Sequence, residues 1–196
     1  ADCVGELRIG IEFAGSPLEP VLLTSLIEAA DRVDSTTGVQ MAYVKQWAKR
    51  SFNPLELRRP ELLAGGGRAL RADAVEVAST LGPVDFAYLD PPYNQHRYFT
   101  NYHVWETLVA WDAPEHYGVA CKRVDARDDA TRSPFNSKRT IASALAGVIE
   151  AVRADTVVVS FNNEGFVGLP ALVEMCEVRG NPVEVLAFDT RRYIGQ

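Results

Sequence analysis

Paired cysteines are missing from this chain. Its 3 cysteines, Cys3, Cys121 and Cys176, are widely spaced and odd in number, with no CxxC pair and no spacing that suits zinc, so they read as free thiols of a reducing compartment. Long apolar runs are missing too. Nothing approaches the roughly 20 residues that a membrane span needs, and the N-terminus carries no basic-then-apolar signal pattern. The expectation is a soluble, cytoplasmic protein with no membrane partner. Positive charge is not in excess either: at a net −6 there is no global attraction to nucleic acid, so any such binding needs a local basic face. His96, His103 and His116 have no ligand spacing, and no metal is expected. Gly65-Gly66-Gly67 lacks both the Lys-Ser/Thr of a phosphate loop and the spaced glycines of a dinucleotide loop, and reads as a connector.

What is present is globular. With 47% hydrophobic and 23% charged residues, the chain suits one domain with a real core. Residues 1–20, rich in glycine and proline, form an irregular lead-in. Val21 to Val33 has helical spacing, and Val39 to Trp47 suits a second short helix. Between Lys45 and Arg59, the bases Lys45, Lys49, Arg50, Arg58 and Arg59 face one acid, Glu56, with Trp47 and Phe52 interleaved. A solvated helix face gives that pattern, and so does a DNA contact. Arg68 to Ala74 reads as a short strand and Val75 to Leu81 as a helical turn. Val84–Leu89 and Thr156–Phe161 read as buried strands and Val183–Phe188 as strand-like. Tyr102–Trp111, Ile141–Val152 and Leu169–Val178 read as helices, and residues 115–139 as a long mobile surface excursion. Strands alternating with helices predict an α/β fold, a parallel-rich sheet with helices on its faces.

The chemistry concentrates at Tyr88-Leu89-Asp90-Pro91-Pro92-Tyr93-Asn94. Two prolines, with fixed φ and no amide N–H, must end the strand, which leaves Asp90 at its C-terminal mouth, where open α/β sheets bind ligands. Asn162-Asn163-Glu164-Gly165 follows a later strand in the same way, so the two polar ends should open on one edge. An aromatic amine is a poor nucleophile because its lone pair is delocalised. Acceptors on both of its N–H bonds help it to pyramidalise, and the Asp90 carboxylate and Pro91 carbonyl are two such acceptors in adjacent positions. Tyr93 offers a face for a base to stack on, as flipped-base chemistry requires.

Asp90-Pro91-Pro92-Tyr93 resembles the catalytic motif of S-adenosylmethionine-dependent amino methyltransferases. With Phe99-Thr100-Asn101-Tyr102-His103 after it and Ser160-Phe161-Asn162-Asn163-Glu164-Gly165 later, the wider resemblance is to the Dam-type DNA adenine methyltransferases. That resemblance implies a Rossmann-like methyltransferase sheet, S-adenosylmethionine as cofactor, and double-stranded DNA as partner in a nucleoid-associated enzyme. It implies catalysis by Asp90, Pro91, Pro92 and Tyr93, cofactor contacts from Asp73 and Asp90, and a base pocket of Tyr93, Phe99, Tyr102 and Asn162. It further implies DNA contacts from Lys45, Lys49, Arg50, Arg58 and Arg192, with residues 21–68 as a helical, basic target-recognition segment and 69–196 as the catalytic part. The family's Phe-x-Gly-x-Gly cofactor loop does not occur here, so the expectation is a sheet incomplete on its N-terminal side. The alternatives are methylation of an RNA base and a non-catalytic nucleic-acid-binding fragment.

Overall fold

A computed structural model describes residues 15–42 and 44–189. In chain order its elements are α1 (Glu19–Val33), α2 (Ala74–Ala78), β1 (Val84–Leu89), α3 (Tyr98–Asn101), α4 (His103–Ala110), β2 (His116–Tyr117), β3 (Lys122–Arg123), α5 (Ile141–Ala151), β4 (Ala154–Val159) and α6 (Leu169–Glu177), with short 3₁₀ turns between them. They fall into two compact units: the described residues up to Gly66 with Tyr98–Thr131, and Gly67–Arg97 with the described residues from Arg132 onward.

The second unit is built on β1 and β4, which pair in parallel from Val84↔Ala154 to Leu89↔Val159. Parallel pairing brings the two C-terminal ends to one edge, as expected. Alternation then sorts the side chains: Ala87, Leu89, Val157 and Val159 pack on a core that holds Ala78 of α2, Ile141, Leu145, Val148 and Ile149 of α5, and Leu172 and Met175 of α6. The spacing of Ile141, Ala144, Leu145, Val148 and Ile149 puts one continuous stripe of α5 inside. The other face of the sheet is bare, with Phe86 and Tyr88 56% and 57% exposed. The expectation of buried strands with helices on the sheet's faces is thus corrected: among the described residues only one face of β1 and β4 packs on the core. β4 also begins and ends two residues earlier than the sequence indicated. Arg179 closes the α5–β4 turn by donating to the carbonyls of Ile149 (2.7 Å), Val152 (2.6 Å) and Ala154 (2.7 Å).

In the first unit α1 buries Leu26, Ala29 and Ala30, and the following chain folds back onto its C-terminal end. The Arg50 guanidinium pairs with Asp34 and donates to the carbonyls of Asp34 (2.8 Å) and Thr36 (3.1 Å), while the Ala48 amide donates to Ser35 Oγ at 2.9 Å. Those tertiary bonds replace the helix expected over Val39–Trp47: the Gln40 amide goes to the Asn101 carbonyl (2.7 Å) and its Oε1 takes the Val104 amide (2.9 Å). Arg68–Ala74 is not a strand either, because Asp73 acts as the N-cap of α2, accepting from the Val75 amide at 2.8 Å. Val183–Phe188 carries β-favouring residues but joins no ladder, and Leu186 and Phe188 stand 69% and 79% exposed.

Residues 115–139, expected as a mobile excursion, are organised instead. β2 and β3 form an antiparallel hairpin, and Arg123, 6% exposed, anchors it. Its guanidinium donates to Asp112 Oδ1 and Oδ2 (2.7 and 2.6 Å), to Asp125 Oδ1 and Oδ2 (3.0 and 2.6 Å) and to Thr107 Oγ1 (3.3 Å). A buried cation held by two carboxylates orders a segment that has no apolar period. Those bonds from Arg123 hold both carboxyls below their ordinary value of 3.8.

Two measurements follow. A carboxyl depressed in the folded state contributes stability that is present above its unfolded value and lost as pH falls through the lower folded one. Stability to urea should therefore fall below about pH 3.8, and Arg123→Gln should flatten that dependence while lowering stability at neutral pH. Arg179→Ala should cost about 2 kcal/mol in a thermal melt, with Arg179→Lys recovering only part, because a single ammonium cannot span three carbonyls.

Candidate active site

Four residues of the Leu89–His96 corner, Leu89, Tyr93, Asn94 and His96, are held from outside it. Pro91 and Pro92 have no amide hydrogen to give, so the corner cannot close on its own backbone. The last strand rung comes from β4's side, with the Ser160 amide donating to the Leu89 carbonyl at 2.8 Å. The Phe166 amide donates to the Tyr93 carbonyl at 2.8 Å. Asn136 Nδ2 donates to the carbonyls of Asn94 (2.8 Å) and His96 (3.1 Å), and Asn94 Oδ1 accepts the His96 amide at 2.9 Å. The result is a fixed corner with an exposed Asp90 at its mouth and Pro91, Pro92 and Tyr93 half-buried behind it.

The Tyr93 ring is set by Phe161, edge-on at 6.3 Å between centroids and 67° between planes. Phe161 is set in turn by Gly165, since a Cβ there would lie 2.4 Å from Phe161 Cε1 and 3.0 Å from the Asn162 carbonyl oxygen. Asn162 makes that turn: its Oδ1 accepts the Glu164 amide at 2.8 Å and its carbonyl accepts the Gly165 amide at 2.9 Å. Asp73 is exposed, with Oδ1 engaged as the α2 cap. Asp73, Asp90, Tyr93 and Asn162 all belong to the second unit.

Phe99 and Tyr102 belong to the first. Phe99 is half-buried with the Arg123 guanidinium 5.8 Å over its ring, and Tyr102 stacks on Tyr98 at 6.0 Å and 24°. In the basic segment Lys45 and Lys49 are exposed, as are Trp47 and Phe52 at 75% and 78%. Arg50 is engaged with the end of α1, and Arg58 pairs with Glu56 at 3.5 Å on the surface. Arg192 lies outside the described residues. His103 is buried, and desolvation pushes its imidazole below the ordinary 6.5. No group of described residues could hold a metal ion, and no described helix is long and apolar enough to cross a membrane.

Sequence reasoning missed Asn136 and Phe161. Asn136 lies in the aperiodic stretch taken for surface, where only Ser133-Pro134 hinted at an ordered turn. Phe161 read as one more strand residue, although it sits past the end of β4.

The D12 class N6 adenine-specific DNA methyltransferases match residues 19–144 of the chain. The modification methylase StsI of Streptococcus sanguinis is 32% identical over 148 residues, which cover 74% of this chain and 22% of that protein. The type II methyltransferase M.FokI of Planomicrobium okeanokoites is 33% identical over 147 residues, with 74% and 22% covered. M.NlaIII of Neisseria lactamica is 29% identical over 174 residues, with 88% and 50% covered. The chain thus spans between about a fifth and a half of the length of these relatives. No solved structure matches it significantly.

Gly165→Ala tests the ring stack directly. The added methyl must displace Phe161 or the turn, so the variant should lose about 1–3 kcal/mol and its near-ultraviolet circular dichroism should change as the Tyr93–Phe161 contact opens.

Proposed function

Because the chain belongs to the D12 class N6 adenine-specific DNA methyltransferase family, we propose that it transfers a methyl group from S-adenosylmethionine to the exocyclic amino nitrogen of adenine in duplex DNA. The observation that carries this reading is the corner itself: an exposed carboxylate, then a proline carbonyl, then a ring whose tilt is fixed by a second ring. Asp90 Oδ accepts one amino hydrogen and the Pro91 carbonyl the other. Both acceptors pull the nitrogen toward pyramidal geometry, and they act most strongly as positive charge builds on it. Asp90 is then the group placed to take the proton that the nitrogen must shed. Pro92 withholds an amide that would compete for these acceptors, and Tyr93 stacks on the flipped base.

The residues fit S-adenosylmethionine in kind. Asp73 is exposed and has only Oδ1 engaged, which leaves Oδ2 for an adenosine hydroxyl, and a second exposed carboxylate, Asp90, suits the methionine ammonium. When bound, that cofactor supplies an electrophilic methyl on sulfur. We assign Asn162, beside Tyr93 in the same unit, to the rest of the base pocket. Residues 69–196 form the catalytic part, and 21–68 the target-recognition segment. There Lys45 and Lys49 contact phosphates beside Trp47 and Phe52, Arg58 adds to them, and Arg50 acts by fixing the segment on α1, while Arg192 adds a contact from the catalytic part. The relatives' names, modification methylases and type II methyltransferases, support a role in a restriction–modification system.

In the full-length protein, Asp90→Asn should lower single-turnover adenine methylation about 10²–10³-fold and leave duplex affinity within a few-fold. Wild-type turnover in that variant would remove Asp90 from the mechanism. Lys45→Ala and Lys49→Ala should each weaken binding to specific and non-specific duplexes alike and reduce the slope of log affinity against log salt by about 1. An unchanged slope would take them off the DNA.

A further inference from the structure

We propose that Asn136 is a positioning residue for methyl transfer, holding the Tyr93–His96 loop so that the Tyr93 ring meets the base at a fixed angle. The inference rests on the function just proposed and adds a residue outside every motif that defines it. A corner with two prolines needs donors from elsewhere, and three external groups supply them: the Ser160 amide, the Phe166 amide and the Asn136 carboxamide. Only the third is a side chain. It comes from 42 residues along the chain from Asn94 and 40 from His96.

The stoichiometry is complete. Nδ2 has two hydrogens and faces two carbonyls, Asn94 O at 2.8 Å and His96 O at 3.1 Å, which can only accept, so the amide nitrogen must point at them. Asn136 is itself immobilised. It ends the 3₁₀ turn Pro134–Asn136, where Ser133 Oγ caps the Phe135 amide at 3.3 Å. The Phe135 side chain is buried at 6% exposure in the second unit's core, and Thr140 Oγ1 donates to the Pro134 carbonyl at 2.8 Å. Core packing is thereby relayed to the residues that follow Tyr93, while the Phe166 amide fixes Tyr93 from the other flank.

Asn136→Asp is the discriminating substitution. It keeps the shape but turns oxygens toward two carbonyls, whereas Asn136→Gln keeps the donor. In the full-length protein, with active sites titrated by duplex binding, Asn136→Asp should lower kcat by roughly 10–100-fold with KM for duplex and affinity for S-adenosylmethionine within about 3-fold, and Asn136→Gln should retain several-fold more kcat than Asp. A duplex with 2-aminopurine at the target position gives the second readout: its emission on binding should fall in Asn136→Asp relative to wild type, as less of the base is held in the pocket and more returns to the quenching stack of the duplex. Asn136→Ala, which adds no charge, should reproduce both effects should the aspartate variant melt early. Wild-type kcat and emission in the aspartate and alanine variants, or losses that vanish once active sites are counted, would overturn the proposal. Failure of the wild-type protein to methylate adenine would instead overturn the function on which it rests.

Discussion

Two adjacent prolines at the end of a strand remove two hydrogen-bond donors at the place where the site needs most rigidity. Everything around β1 answers to that deficit. A strand end with normal amides could close into a turn of its own. Here the donors come from the residue after β4, from the loop after it, and from the turn before α5. The parallel register from Val84↔Ala154 to Leu89↔Val159 matters for this reason, since it delivers the post-β4 loop to the same edge as Asp90. The deficit is also useful: carbonyls without neighbouring amides remain available as acceptors, which is what a weakly nucleophilic amine asks of its surroundings.

Ring geometry follows from a second constraint, the missing side chain at Gly165. Its Cα lies against Phe161, and Phe161 lies edge-on to Tyr93, so a turn residue with no chemistry of its own sets the plane of the stacking ring. A flipped base gains from stacking only if the partner ring is already in place when it arrives, because ordering the ring at that moment would cost part of what stacking returns. Close packing on Phe161 does this part of the ordering, beside the Phe166 amide and the Asn136 carboxamide that hold the loop.

The sequence made β1 legible to the residue, and it made α1, α4, α5 and α6 legible to within a few residues, because apolar period and turn chemistry are local signals. The corner was legible because Asp-Pro-Pro-Tyr is short and contiguous. What escaped was set by tertiary contact. Val39–Trp47 has helix-compatible residues, yet Arg50, Gln40 and Ser35 bind elsewhere and pull it into irregular chain. Residues 115–139 have no apolar period because one buried cation, Arg123, does much of the work of a small core there. Asn136 was invisible for the same reason: its two acceptors lie 40 and 42 residues away in the chain. Burial of β1 on both faces was inferred from an apolar run that alternation alone does not distinguish from a one-faced strand.

Charge supplies the last step. A protein of net −6 on the proposed reading meets DNA through a few exposed bases, and two of the expected ones have acidic partners, Arg50 with Asp34 and Arg58 with Glu56. Few phosphate contacts mean a shallow salt dependence and weak binding to arbitrary sequence. For a site-specific methyltransferase that is an advantage, because non-specific duplex is always in vast excess and each additional phosphate contact tightens the right and wrong sites equally. Discrimination is then left to base contacts and to the energy of flipping. Exposed Trp47 and Phe52 beside Lys45 and Lys49 suit such an arrangement, in which apolar contact area supplements electrostatic attraction. On the proposed reading, the carboxylates that hold Arg50 and Arg123 in place serve a second end: they keep the arginines that order the fold from becoming indiscriminate anchors for DNA.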